Sequence, residues 1–238
     1  MYTPTVLNLA RMNTMLKISS VLLMMTGTAL AAPKSHAIAF GKWMTVQWTP
    51  GPGQEKPQPL KVRELLVDGH VKEYTLGPTH EVTERLLVVR RAFRVNDNLP
   101  EESNVPPRWQ WQRGGWILVD HISGRVSQVN LPEFDTLYSA ASWYRDYAAY
   151  CGVSDDGKKL YAVVAQLGRR KAVLKKAIGG EIADNAAADS ACAAPTWQRE
   201  PARVTFDLAA GNKQTFAIRG TAVDVVSENA EEDEEGSK

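Results

Sequence analysis

Residues Tyr147–Ala165 read YAAYCGVSDDGKKLYAVVA. Two apolar runs, Tyr147 to Val153 and Leu160 to Gln166, stand on either side of the turn Ser154 to Gly157. Runs this short, bounded by turn residues and rich in Tyr and Val, predict strands rather than helices. Lys171 to Ile178 follows closely enough to add a third strand, giving an antiparallel meander.

The same rhythm extends outward in both directions, with turn signals every eight to fifteen residues and short runs of Val, Ile, Tyr, Phe and Trp between them. It predicts an all-β chain with at most one or two short helices. Trp116 to Asp120 (WILVD) is apolar on both faces, which places it inside a sheet, and the turn His121 to Gly124 returns the chain into Arg125 to Leu131. Towards the C-terminus Val204, Phe206 and Leu208 alternate with polar residues, Gly211-Asn212 turns, and Phe216 and Ile218 alternate again. Towards the N-terminus, Leu60 to Val67 and His70 to Leu76 flank Asp68-Gly69, a pair suited to the positive φ angles of a two-residue hairpin. Ile38 to Trp48 is a first strand, closed by the Pro/Gly linker of residues 49–59. Arg85 to Val95 has the length of a central strand, and its four Arg residues predict that its end reaches solvent. Asn96 to Pro107 is a loop. Two segments admit two readings. Ser139 to Tyr150 also fits a helical face through Trp143, Tyr147 and Tyr150, and Gly179 to Ala194 is either a short helix or a loop.

The strand, the Ser-Asp-Asp-Gly-Lys-Lys turn and the second strand of Tyr147 to Ala165 resemble a blade of the TolB-type or YVTN-type bacterial β-propellers. Trp116 to Pro132 (WILVDHISGRVSQVNLP) is similar to the outer strands of such a blade. The turn motif occurs once and no period near 40 residues repeats. The resemblance therefore implies antiparallel meanders, and leaves a β-sandwich, a partial barrel and a propeller-like arrangement all open.

The first 31 residues carry Arg11 and Lys17 ahead of a 13-residue apolar stretch, Ile18 to Leu30, with no acidic residue before Glu55. That layout predicts a signal peptide, too short for the roughly 20 residues of a membrane span. Ala29-Leu30-Ala31 places cleavage after Ala31, with Ala37 the alternative site and Met12 an alternative start. The mature chain then holds a β-rich domain over residues 32–227 and an acidic tail over 228–238 that is expected to be disordered. The expected location is periplasmic or secreted, with no transmembrane anchor.

The mature chain has 26 basic and 27 acidic residues, which implies no nucleic-acid partner. His36, His70, His80 and His121 show no metal-ligand spacing, and His80-Glu81 lacks the second His of a zinc-protease helix, so neither metal nor cofactor is expected. Serine elbows and phosphate-binding glycine loops are missing too. A pair of catalytic carboxylates has no fixed spacing, so a hydrolase acting on polymers stands as one reading. The other is a non-catalytic module that binds an envelope protein, a peptide or a glycan. For that reading the candidate residues are Trp143, Tyr144, Arg145 and Asp146, followed by Tyr147, and the pair Trp109 and Trp111. Aromatic rings interleaved with charge offer large contact area at small entropic cost. If extended, Trp143, Arg145 and Tyr147 would share one face, and Trp109 and Trp111 another. Asp155-Asp156 reads as a turn. Cys151 and Cys192 are the only thiols, and in an oxidising compartment they predict one disulfide.

Overall fold

The computed structural model describes residues 35–50, 56–102, 104–179, 193–208, 213–219 and 222–225. The expected signal segment, the middle of the Pro/Gly linker, the Ala-rich stretch with Cys192, the Gly211-Asn212 turn and the acidic tail lie outside the described residues. Among the described residues the regular structure is strand, apart from one 3-10 turn at Pro100–Glu102. The chain is all-β, as its turn spacing predicts.

The expected first strand is divided into β1 (Ile38–Phe40) and β2 (Met44–Trp48), both antiparallel to β3 (Gln58–Val67). Phe40 pairs with Leu65 and Met44 with Val62, so Gly41 to Trp43 stand opposite Arg63 and Glu64 alone. The extra residue makes a bulge. The Gly41 N–H donates to the Glu64 carbonyl at 2.9 Å, and a Cβ on Gly41 would lie 3.2 Å from the Glu64 side chain.

From β3 the chain turns through Asp68 and Gly69, at φ of 52° and 78°, into β4 (His70–Glu81), the hairpin expected from that pair. β4 pairs with β5 (Leu86–Asn96), and β5 with β6 (Trp109–Asp120). β6 meets β2 in a parallel bridge between Trp111 and Trp48. The five strands β2 to β6 thereby form a closed hydrogen-bonded ring, and β7 (Val126–Val129) adds to β6. Trp48, Leu60, Val62, Leu76 and Ala92, one or more from each of β2 to β5, cluster with Trp111 of β6.

Two further antiparallel meanders follow. β8 (Ser142–Tyr144), β9 (Tyr147–Val153), β10 (Leu160–Gln166) and β11 (Leu174–Gly179) form one. The other is β12 (Thr196–Gln198), β13 (Arg203–Asp207), β14 (Lys213–Arg219) and β15 (Ala222–Val225). The alternating residues Val204, Phe206 and Phe216 are fully buried on β13 and β14.

The first of these meanders is the middle layer. Ala148 and Tyr150 of β9 pack with Val163 and Ala165 against Val88 and Trp116 of the first sheet. The intervening Tyr147, Ala149 and Cys151 pack with Ala162 and Val164 against Val204, Phe206 and Phe216. Every residue of β9 is buried, which is why its sequence is apolar without alternation. The first sheet is two-sided in the same way. Val88 joins the middle layer, whereas its neighbour Val89 clusters with Leu65, Leu87, Ile117 and Val119, against which Ile38, Phe40 and Val126 pack.

The helical alternative for Ser139 to Tyr150 does not form. Asp135 instead caps a turn by accepting from the backbone N–H groups of Leu137 and Tyr138 at 2.7 and 2.9 Å. Ser139 is buried there and its hydroxyl donates to the Cys151 carbonyl at 2.6 Å, which ties the turn to β9.

Candidate functional site

The candidate residues fall in two places. On the β8–β9 hairpin, Tyr144 pairs with Tyr147, which makes Arg145 and Asp146 the two-residue turn, with Arg145 at a φ of 53°. The shared face of Trp143, Arg145 and Tyr147 expected for an extended segment is therefore not formed. The turn is anchored from outside the hairpin. The Asp146 carbonyl accepts from the Leu167 N–H at 2.9 Å, its carboxylate accepts from Gln166 Nε2 at 2.8 Å, and the Arg145 carbonyl lies 2.8 Å from His80 Nε2.

The two rings of this hairpin diverge. Trp143 stacks on His80 at 6.0 Å and meets Trp116 edge-on at 5.3 Å, both in the first sheet. Tyr144 lies 5.4 Å from Trp197 of β12, in the third sheet. Alternation sends neighbouring rings to opposite faces, so the pair joins the middle layer to both of its neighbours. These residues serve the packing of the domain.

Trp109 and Trp111 form a different environment. They stand two apart on β6, and Arg94 is the cross-strand partner of Trp111. The Arg94 guanidinium carbon lies 5.6 Å from the Trp109 ring centre, 5.4 Å from Trp111 and 5.7 Å from Tyr74. Tyr74 and Trp111 meet edge-on at 5.0 Å. Trp109 and Trp111 thus present one shared face, as i and i+2 residues of an extended strand must. One turn of the pleat further, Arg113 lies 4.2 Å over the Trp48 ring, so indoles and guanidinium groups alternate across the seam where the ring closes.

Trp109 is 55% exposed, whereas Trp111 is half-buried. The connection after β5 adds Leu99 and Val105, 62% and 50% exposed. Solvent-facing apolar side chains on a loop need a rigid support to act together, and this loop has one. Asn98 Nδ2 donates to the Val105 carbonyl at 3.1 Å, the Arg108 N–H donates to Asn96 Oδ1 at 3.0 Å, and Gln110 Nε2 donates to Asp97 Oδ2 at 2.6 Å. Arg94 and Tyr74 complete the cluster without standing out in the sequence. Arg94 is one of four arginines in its run, and only cross-strand register sets it between the two indoles.

The carboxylates with the clearest surroundings are engaged elsewhere. Arg85 Nε donates to Asp120 at 2.8 Å, and this guanidinium holds the Asp120 carboxyl well below the usual carboxylate range. The hydrogen bond from His36, followed by that from the Ala37 N–H, lowers the Asp68 carboxyl. Glu73 pairs with Arg91 at 2.8 Å and Glu133 with Lys175 at 2.7 Å. Among the described residues no group of three or more His, Cys, Asp or Glu side chains is arranged to hold a metal ion. Likewise no helix among them is long and apolar enough to cross a membrane.

No protein-family model, curated protein or solved structure matches this chain.

Proposed function

We propose that the domain is an exported, non-catalytic binding module, and that it takes a peptide or protein partner on the face formed by Trp109, Trp111, Arg94 and Tyr74. The observation that carries this reading is the exposed Trp109 ring held beside a guanidinium that is itself flanked by two further rings. Trp, Tyr and Arg are the residues enriched where truncation costs binding most, and a pre-positioned cluster loses little side-chain entropy on association. Leu99 and Val105 beside it give an apolar margin that suits a peptide or protein surface better than a saccharide. The carboxyl groups of Asp68, Asp120 and Asp156 are displaced downward, the opposite of what a general acid needs, so these three do not suit that role in a hydrolase.

The test is affinity capture from the native envelope with residues 32–238 as bait, run beside Trp109→Ala and Arg94→Ala, with an array of envelope glycans as a second arm. A partner that is retained by the native domain and lost with both variants supports the reading. Equal recovery on all three baits sinks it, and retention on the glycan array alone replaces peptide by saccharide.

A further inference from the structure

The turn between β10 and β11 runs Leu167-Gly168-Arg169-Arg170-Lys171, with three consecutive cations in solvent. Gly168 takes a φ of 79°, and the Arg169 N–H donates to the Gln166 carbonyl at 3.1 Å, which fixes the direction in which the two arginines leave the sheet. They overhang a cleft of about 280 Å³ between this turn and β7. Leu118 and Val129 make its apolar floor, and the chain at Gln128 and Asn130 also borders it.

Several cations of the domain are matched by a partner. Arg85 is matched by Asp120, Arg91 by Glu73, Lys175 by Glu133 and Lys213 by Asp207. Arg90 donates to the carbonyls of Gly114 and Thr136. Among the described residues Arg169 and Arg170 have no carboxylate within ion-pair distance. The Asp146 carboxylate accepts from Gln166 and keeps its charge, but it forms no ion pair with either arginine. Two like charges held side by side over a concave surface repel each other and concentrate positive potential in the cleft. Guanidinium forks match tetrahedral oxyanions in geometry.

We propose that this cleft binds a phosphoryl group, a doubly charged oxyanion held by Arg169 and Arg170, with the rest of an esterified ligand lying on Leu118 and Val129. The site is separate from the Trp109 face and does not depend on it. Two exposed guanidinium groups favour a dianion over a carboxylate by Coulombic attraction, and the apolar floor gives an ester something to cover.

The experiment is an amide-detected NMR titration of residues 32–238 at low ionic strength with inorganic phosphate, glycerol phosphate and acetate in parallel. Saturable shifts centred on Gly168 to Lys171, Gln128 and Asn130 are expected with both phosphates and weaker ones with acetate. Equal affinity for the two phosphates identifies the free anion as sufficient, and tighter binding of glycerol phosphate identifies an ester. Arg169→Ala/Arg170→Ala should weaken binding at least about tenfold, since a hydrogen bond to a charged group contributes at least that factor. Lys158→Ala, at the far end of β10, should leave it unchanged. Both arginines are exposed in a turn, so the double variant keeps the native fold, and Arg169→Ala alone provides a second, milder loss. Non-saturating shifts, acetate binding as tightly as phosphate, or an unchanged affinity in the double variant overturns the proposal.

Discussion

Trp143 of the middle sheet meets Trp116 of the first sheet with ring centres 5.3 Å apart and planes at 64°, an edge-to-face contact between two layers that share no backbone pairing. Neither indole N–H has a hydrogen-bond partner among the described residues, so the contribution of the pair is packing. Trp143→Ala should cost about 2–3 kcal/mol, below the usual range of about 3–5 kcal/mol for truncating a large buried aromatic because the ring is only half-buried. Urea denaturation at 25 °C measures this. A loss below about 0.5 kcal/mol, the size expected of a plain surface substitution, would show that the contact does not hold the layers together.

Tyr150 tests the same interface through a hydrogen bond. Its ring is fully buried and edge-on to Phe134 at 5.2 Å, and its hydroxyl donates to the Pro132 carbonyl at 2.6 Å. Tyr150→Phe keeps the ring and removes the donor, and should cost about 1–2 kcal/mol because a carbonyl is left without its partner. Burial pushes the Tyr150 hydroxyl far above its ordinary value, with the Glu133 charge adding to this. Its folded pKa is raised, so its contribution to stability is complete below about pH 10 and is lost as the pH rises beyond that, where the unfolded chain ionises first. Ultraviolet titration of the folded domain should show one tyrosine silent beyond pH 10, and Tyr150→Phe should leave the other transitions in place.

The Asp120 carboxylate organises the turn that follows β6. It accepts from the Arg85 guanidinium, from the Ile122 N–H at 2.9 Å and from the Ser123 hydroxyl at 2.8 Å. The folded pKa is depressed, chiefly by Arg85, so the associated stability is present above the ordinary carboxylate range and is lost as the pH falls below it. Asp120→Asn should lower the urea midpoint at pH 7, and the difference from the native domain should shrink steadily as both are acidified. A difference that is the same at pH 7 and at about pH 3, below the ordinary carboxylate pKa, would show that charge on Asp120 is irrelevant.

Cys151 is buried on β9 between two layers, and its expected partner Cys192 lies outside the described residues. The two thiols are predicted to be joined where the chain meets an oxidising compartment, as the proposed export implies. Closing about 42 residues should stabilise the domain by roughly 4 kcal/mol in the chain-entropy model, less any strain. Intact mass after alkylation of unfolded, unreduced protein should show no modified cysteine. Two modified thiols would show that the bond does not form.

Several features follow from short stretches of sequence alone. Asp68-Gly69 turns the β3–β4 hairpin because two adjacent residues with positive φ must sit there, and aspartate and glycine tolerate that conformation. Val204, Phe206 and Phe216 face one core because side chains alternate along a strand. Trp116 to Asp120 is apolar on both faces and lies inside the first sheet, paired on either side by β5 and β7, as its sequence predicts.

Other features depend on residues far apart in the chain. Whether Trp143 and Arg145 share a face was decided by where the hairpin turns, and Leu167, Gln166 and His80 hold that turn from another strand pair and another sheet. The division of the first strand at Gly41 follows from an extra residue against β3, which shows only once Phe40 and Met44 are matched to Leu65 and Val62. Arg94 reaches Trp109 and Trp111 through register across the β5–β6 pair, and Tyr74 through the pairing of β4 with β5. The sequence by itself determined the all-β class, most of the strands and turns such as Asp68-Gly69 and Ser154 to Gly157, because φ preference and alternation are local. Register, ring closure and the order of the three layers were decided only by the tertiary structure, because they rest on side-chain packing between segments that no local pattern connects.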